Sequence, residues 1–112
     1  MKTVTLGVAS RAASKERLAH ALRGDAQGEF ISFATVDLLW KVLSAKRWEI
    51  LQAMAGQGGL SIREVARRVQ REVKSVHGDV TSLIDAGVVE RTDHGVRFPY
   101  DAVRVNFTLK AA

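Results

Sequence analysis

The stretch SIREVARRV at residues 61–69, followed by VKSVHGDVTSLID at residues 73–85, decides the fold of this chain of 112 residues. Ser61 and Glu64 have the spacing of a capping box, in which the serine hydroxyl accepts the amide of Glu64 and the carboxylate bonds back to Ser61. Apolar residues then follow at helical spacing, namely Ile62, Val65, Ala66 and Val69. These signals predict a helix that begins after Ser61 and ends at a break around residues 70–71.

A second helix is predicted from about residue 72 to residue 86. At about 100° per residue its apolar residues fall on one side, and they are Val73, Val76, Val80, Leu83 and Ile84. Small polar residues and one cation occupy the opposite side, namely Lys74, Ser75, Gly78, Thr81 and Ser82. Gly87 stands where a left-handed helix cap belongs. Residues 88–98, with the sequence DHG at positions 93–95, predict a β-hairpin with a glycine-containing turn.

Upstream of this region, hydroxyl residues mark three further helix starts. Ser44 is predicted to cap a helix that carries Trp48, Leu51, Met54 and Ala55 and stops at the glycine-rich residues 56–59. Thr35 is predicted to cap a helix over residues 36–43, and Ser10 one that runs to about Arg23, before a turn at residues 24–28. Both tryptophans, Trp40 and Trp48, are expected in the core.

Residues 2–8 and residues 103–109 alternate between apolar and polar residues, which predicts strands. Residues 30–33 are predicted to form another short strand. We therefore expect an α+β protein, a winged helix-turn-helix with an N-terminal strand-helix extension and a C-terminal strand. Residues 1–34 would form a dimerisation element and residues 35–112 the winged helix-turn-helix domain, unless the first and last strands pair within one subunit.

The composition favours a polyanionic partner and excludes several kinds of site. Seventeen Lys and Arg against twelve Asp and Glu give a net charge of +5, which suits nucleic acid or an anionic membrane surface. The absence of cysteine excludes disulfides, a cysteine-ligated zinc site and a thiol nucleophile. Because His20, His77 and His94 lack metal-ligand spacing, we expect no metal, cofactor or enzymatic activity. No apolar run approaches the roughly 20 residues of a membrane span, and the N-terminus does not resemble a signal peptide, so we expect a cytoplasmic protein.

Three helices followed by a basic hairpin form the order of a winged helix-turn-helix, whose third helix enters the major groove of double-stranded DNA while the hairpin reaches the flanking backbone. The candidate DNA-binding residues are Ser61, Arg63, Arg67, Arg68, Arg71, Lys74, Ser75, His77, Gly78, Thr81, Ser82, Arg91, His94 and Arg97. His77 is interpreted either as a groove residue or as a partly buried structural histidine. Gly78 is interpreted either as allowing close approach to DNA or as merely tolerated.

Residues 43–51, 60–66, 76–80 and 87–89 resemble winged-helix regulators of the MarR-like kind. The resemblance covers residues 30–109 and is nearest to a small prokaryotic group of proposed transcriptional regulators, which also end in a phrase like Pro-Tyr-Asp at residues 99–101. It implies a repressor that binds DNA as a homodimer, or an antitoxin that also binds a cognate toxin. MarR proteins proper dimerise through long terminal helices that this chain lacks. A dimer would therefore use the N-terminal strand and helix with the strand at residues 103–109.

Two other binding modes remain open at this point. A ribbon-helix-helix protein would read DNA through Thr3, Thr5 and Gly7 on the first strand. Alternatively, the winged helix could bind a protein in place of DNA, because a fold does not determine a function.

Overall fold

The computed structural model describes residues 1–8, 15, 18, 19, 22, 29–108 and 111 and has an α+β fold. Its elements in chain order are β1 (Thr3–Val8), β2 (Glu29–Phe33), α1 (Val36–Val42), α2 (Ala45–Met54), α3 (Ile62–Val69), α4 (Val73–Asp85), β3 (Glu90–Thr92), β4 (Gly95–Arg97) and β5 (Ala102–Asn106). The helix predicted over residues 10–23 and the turn at residues 24–28 lie, apart from four single positions, outside the described residues.

The predicted helix starts are confirmed by their hydrogen bonds. Thr35, Ser44 and Ser61 each accept a bond from the amide three residues further on, at 3.1, 3.3 and 3.0 Å. Each hydroxyl satisfies an amide that has no partner inside its own helix, which fixes where the helix begins. Local sequence therefore determines the starts of α1, α2 and α3.

The junction between α3 and α4 is tight. Gln70 ends α3 in the left-handed conformation, with φ of 56°, and the amide of Arg71 donates to the carbonyl of Ala66 at 3.1 Å. Glu72 then begins α4 without a side-chain cap. Gly87 follows α4 with φ of +79°, as its predicted role requires.

One hydrophobic core connects the helices with the sheet. It contains Val4 and Leu6 of β1 together with the buried apolar residues of all four helices, and α4 contributes Val76, Val80 and Leu83. Two core predictions were wrong. Trp40 is 54% exposed and packs edge-on against Phe107, and Val73 is 41% exposed, because the first turn of α4 extends past the core.

The sheet has the strand order β2-β1-β5, and both pairings are parallel. The predicted strands are confirmed, although β5 covers residues 102–106 and Leu109 lies outside the described residues. Because β1 lies in the centre, both of its edges are occupied by strands of the same chain. The first and last strands therefore pair within one subunit, and Thr3 and Thr5 do not belong to an open strand of the ribbon-helix-helix kind.

Side chains at the N-terminal ends of these parallel strands hold the sheet together. The hydroxyl of Tyr100 donates to Glu29 at 2.5 Å, and the amide of Lys2 donates to the carboxylate of Asp101 at 2.8 Å. Burial and the bond to Glu29 raise the pKa of Tyr100 to about 12. The Pro-Tyr-Asp phrase thus has a structural role, since it fastens the start of β5 to β1 and β2.

The predicted hairpin is formed by β3 and β4, which are antiparallel and joined by Asp93 and His94. Gly95 is the first residue of β4, and its φ is not positive. A Cβ atom there would lie 2.2 Å from the carbonyl oxygen of Leu60, so the glycine is needed for space and not for the turn. Leu60 and Val96 exchange two backbone hydrogen bonds of 2.8 Å, which join the hairpin to the chain just before α3.

Candidate nucleic-acid interface

The outer face of α4 is exposed over its first two turns. Lys74, Ser75, His77 and Gly78 lie there, and among the described residues none of these side chains has a hydrogen bond or an ion pair. The interpretation of His77 as a partly buried structural histidine is therefore wrong. Further along the helix, Thr81 and Ser82 are half-buried, so they border this face and do not stand at its centre.

Gly78 lies in the middle of the exposed face. A Cβ atom at this position would meet no heavy atom within 4 Å, so packing within the chain does not require a glycine. A glycine inside a helix costs about 1 kcal/mol relative to alanine. The residue is thus unfavourable for the helix, and its one geometric effect is to leave the backbone of α4 accessible.

The carboxylate of Asp79, which follows Gly78, is turned away from this face. It accepts a hydrogen bond from Arg47 Nε at 3.1 Å and another from Arg71 Nη2 at 2.8 Å. The three side chains are 18–20% exposed. Because Arg47 belongs to α2 and Arg71 to the α3–α4 junction, this Asp79 cluster joins three parts of the fold.

The two arginines of the Asp79 cluster are held differently. Arg47 Nη1 also donates to the carbonyls of Lys41 and Val42, at 2.8 and 3.1 Å, at the end of α1. Arg71 Nη1 is buried and has no hydrogen-bond partner. Arg47 therefore has acceptors besides Asp79, whereas the guanidinium of Arg71 is held by Asp79.

The cluster also changes the ionisation of its carboxyl group. Burial by itself raises the pKa of Asp79, but the hydrogen bonds and charges of Arg71 and Arg47 outweigh it and leave the pKa below its ordinary value. Asp79 is therefore ionised at neutral pH. Arg71, a candidate DNA-binding residue, is largely removed from solvent and partly neutralised.

A second carboxylate binds two arginines on the surface of α3. Glu64 accepts bonds from Arg67 Nε at 2.8 Å and from Arg68 Nε at 2.7 Å. The bond of the capping box from this carboxylate back to Ser61 was therefore predicted wrongly, because guanidinium groups three and four residues ahead take its oxygens. The bonds from Arg67 and Arg68 lower the pKa of Glu64 to about 2.

The candidate residues of the hairpin are of two kinds, paired and free. Arg97 is paired with Glu90 across the two strands, whereas Arg91 and His94 are exposed and have no partner among the described residues. Arg63, at the start of α3, is likewise exposed and without a partner there.

The structure thus separates the candidate residues into three groups. Free and exposed are Arg63, Lys74, Ser75, His77, Gly78, Arg91 and His94. Exposed but paired are Ser61, Arg67, Arg68 and Arg97. Half-buried are Arg71, Thr81 and Ser82. Sequence reasoning missed Arg47 altogether, because its partner Asp79 lies 32 residues away and no local pattern connects them.

Comparison with protein families places this region in a group. The model of the HVO_A0114 family matches residues 42–105, which is more than half of the chain. The chain belongs to the HVO_A0114 family. The matched segment runs from the end of α1 to β5 and includes the whole Asp79 cluster, whereas β1 and β2, which complete the sheet, precede it. Comparison of this family member with the curated proteins gives no match.

The described residues lack two other kinds of site. None of their helices has the length and apolar character needed to cross a membrane. No group of three or more His, Asp or Glu side chains in that part of the chain could hold a metal ion.

Proposed function

We propose that this protein binds double-stranded DNA in a sequence-specific manner and regulates transcription as a repressor of the MarR-like winged-helix kind. In this proposal α4 enters the major groove, α3 supports it, and the hairpin of β3 and β4 is the wing that reaches the flanking backbone. The observation that carries the proposal is the exposed face of α4. It presents a free cation, small polar side chains and an accessible backbone, and the carboxylate of Asp79 beside it is bonded to two arginines.

The dimensions of α4 support a role in the groove. Its 13 residues correspond to about 20 Å of helix, and the protruding first turns would meet base edges before the buried last turns do. Ser75 and Thr81 can bond to bases or phosphates, and Lys74 can bind the acceptors of guanine or a phosphate oxygen. The accessible backbone at Gly78 would allow the helix to come close to the bases.

The cations around α4 support the backbone part of the contact. Arg63 lies at the start of α3 and Arg91 on the wing, and both are exposed without a partner among the described residues. Each cation that meets a phosphate releases condensed counterions, so that log K falls with log salt by about 0.9 per contact on B-DNA. Affinity for any duplex should therefore decrease steeply as salt increases.

The direct test is the binding of labelled duplex DNA at several salt concentrations, with a pool of random sequences from which the protein selects its preferred site. Lys74→Ala and Thr81→Ala should weaken binding to the selected site more than binding to random duplex. Arg104→Ala is the matched control, because Arg104 is an exposed cation on β5, and it should change neither. The absence of salt-dependent binding to any duplex, including the DNA upstream of the gene, would refute the proposal.

The proposal includes a cytoplasmic homodimer, since two copies would bring two α4 helices to successive major grooves. Sedimentation of the protein with and without the selected duplex measures this: a complex of two chains per site supports it, and one chain per site contradicts it. Co-purification with the product of an adjacent gene would favour the antitoxin form of the same regulator.

A further inference from the structure

Arg71 occupies a position where a free cation would attract phosphate strongly. It lies two residues before the first residue of α4, and backbone amides at the N-terminus of a helix already favour an anion. In the proposed complex, a contact between a free guanidinium at this place and a phosphate would carry no sequence information. In the structure it is instead turned inward and bonded to Asp79 at 2.8 Å.

Asp79 fixes this arrangement from within α4 itself. Its two oxygens bind Arg71 and Arg47, which belong to the junction before α4 and to α2. The carboxylate thereby adds a polar constraint on the rotation of α4 to that of the buried Val76, Val80 and Leu83, because a rotation that moved Gly78 would pull Asp79 off both guanidiniums. In some proteins, salt bridges of this kind fix one arrangement of elements even where they add little stability.

Resting on the proposed function, the structure assigns to Asp79 the role of a specificity-determining positioning residue. We propose that Asp79 keeps Arg71 away from phosphate and, together with the core residues, fixes the rotation of α4. Binding then depends more on the exposed face of the helix and less on general charge attraction. The residue does not itself touch DNA. Its removal would thus strengthen binding to random duplex while weakening the discrimination between sequences.

The different contacts of Arg71 and Arg47 predict how far the loss of Asp79 changes the salt dependence of binding. Arg71 Nη1 has no partner, so without Asp79 nothing in the described residues holds this guanidinium. Arg47 keeps the carbonyls of Lys41 and Val42 as acceptors and should remain in place. Loss of Asp79 should therefore add one phosphate contact and not two, which steepens the salt dependence by about 0.9.

The test compares Asp79→Ala with Asp85→Ala, using the selected site and random duplex as probes. Asp85 is an exposed acid on the last turn of the same helix, so its removal changes the net charge equally without releasing an arginine. Asp79→Ala should steepen the slope of log K against log salt by about 0.9, which changes the affinity by about 3.5-fold between 50 and 200 mM salt. The ratio of affinities for the selected site and random duplex should fall roughly tenfold, comparable to one mismatched base pair.

Three further variants separate positioning from simple stabilisation. Asp79→Ala combined with Arg71→Ala should return the slope to that of the wild type, because the released cation is gone. Asp79→Glu, which keeps the charge, should retain the wild-type slope and most of the discrimination. Asp79→Asn should change the slope in the same direction as Asp79→Ala but by less. It replaces Asp79→Ala in the salt titration if that variant does not fold.

Each outcome distinguishes this inference from the proposed function. If the wild type binds duplex DNA but Asp79→Ala has the slope and discrimination of Asp85→Ala, the inference is overturned and the proposed function stands. If the alanine and asparagine variants both fail to fold, Asp79 is only structural, which also overturns it. If the wild type binds no duplex at all, the proposed function falls first and the inference falls with it.

Discussion

Two sites in this molecule contain one carboxylate and two arginines, yet they are built differently. Around Glu64 all three residues lie on α3, within four positions of each other. Arg67 is 72% exposed and Glu64 and Arg68 are 30% and 31% exposed, and Arg68 also bonds to the side chain of Gln57, just after α2, at 2.9 Å. Around Asp79 the three residues come from α2, the α3–α4 junction and α4, and each is about one fifth exposed. Equal composition thus gives a group centred on one helix in one place and a less exposed connection between three parts of the fold in the other.

The difference shows what an arginine-rich segment can and cannot indicate. The run from Arg63 to Lys74 contains five cations, and from the sequence each of them is a candidate for a phosphate contact. The surface pairs with Glu64 are weak and exchangeable, so Arg67 can leave its partner for a phosphate. Arg71 is held in a partly buried site, where leaving Asp79 would take one of the two guanidinium partners from a carboxylate that is only 19% exposed.

The largest expected contrast concerns stability. Asp79→Ala removes the acceptor that joins Arg47 and Arg71 across three parts of the fold and should lower the free energy of unfolding by about 2 kcal/mol. The loss should be less than for a fully buried pair, because Arg47 keeps its backbone acceptors and Arg71 can turn towards solvent. Glu64→Ala exposes groups that water already reaches and should lower it much less. Urea unfolding followed by tryptophan fluorescence measures both, and equal losses would mean that the two sites do not differ in kind.

The contrast should also appear in DNA binding. Arg67→Ala removes an exposed cation that can reach phosphate, so the slope of log K against log salt should become shallower by about 0.9. Arg71→Ala should leave the slope unchanged, because Asp79 already occupies that guanidinium. Salt titrations with random duplex measure both slopes, with Arg104→Ala as the control. A shallower slope for Arg71→Ala would show that Arg71 contacts phosphate in the wild type.

Acid should separate the two carboxylates further. A carboxyl group whose pKa is lowered by folding stabilises the fold above its unfolded pKa, and this contribution is lost as the pH falls through the folded pKa. For Glu64 the pKa moves from 4.5 to about 2, so the difference in stability between wild type and Glu64→Gln should fade between these two values. For Asp79, which starts from 3.8, the difference from Asp79→Asn should persist until the pH falls below that value. Thermal denaturation at stepwise lower pH tests this, and a difference that grew on acidification would contradict it.

The smallest effect is that of salt on stability. One molar salt reduces the screening length to about 3 Å, which removes most interactions between exposed charges but acts less on partly buried ones. The difference between wild type and Glu64→Gln should therefore vanish at high salt, whereas that between wild type and Asp79→Asn should remain. Unfolding curves with and without 1 M NaCl measure both differences in the free energy of unfolding. If both vanish at high salt, the ion pairs of Asp79 behave like those of an exposed surface group.

The sequence predicted those parts of the fold that depend on neighbours along the chain. The caps at Thr35, Ser44 and Ser61 were predicted because each needs only an amide three residues away. The pairs of Glu64 with Arg67 and Arg68 have the same local spacing and were in principle predictable. They were missed because the Glu64 carboxylate was assigned to the capping-box bond with Ser61. The predictions that were wrong depend on contacts between residues far apart in the chain. Trp40 is an example, since its exposure follows from how α1 lies against the sheet.

The candidate site shows the same division. The free residues Lys74, Ser75 and Gly78 were placed correctly on the outer face of α4, because the buried side of a helix follows from its apolar spacing. The role of Asp79 was not predictable, because it joins α4 to Arg47, 32 residues earlier in the chain. The spacing of apolar residues indicates which face of a helix a residue occupies, but not which residue distant in sequence it contacts.

The pairing of β1 with β5 has a consequence for how the protein is made. The amide of Lys2 donates to Asp101, 99 residues later, so the central strand of the sheet acquires its second neighbour only after residues 102–106 have been synthesised. The helices α1 to α4 are close in sequence and can assemble first, since contacts between near residues form fastest. Until residues 102–106 leave the ribosome, β1 has one open edge, and this interval is when the nascent chain is most exposed to aggregation.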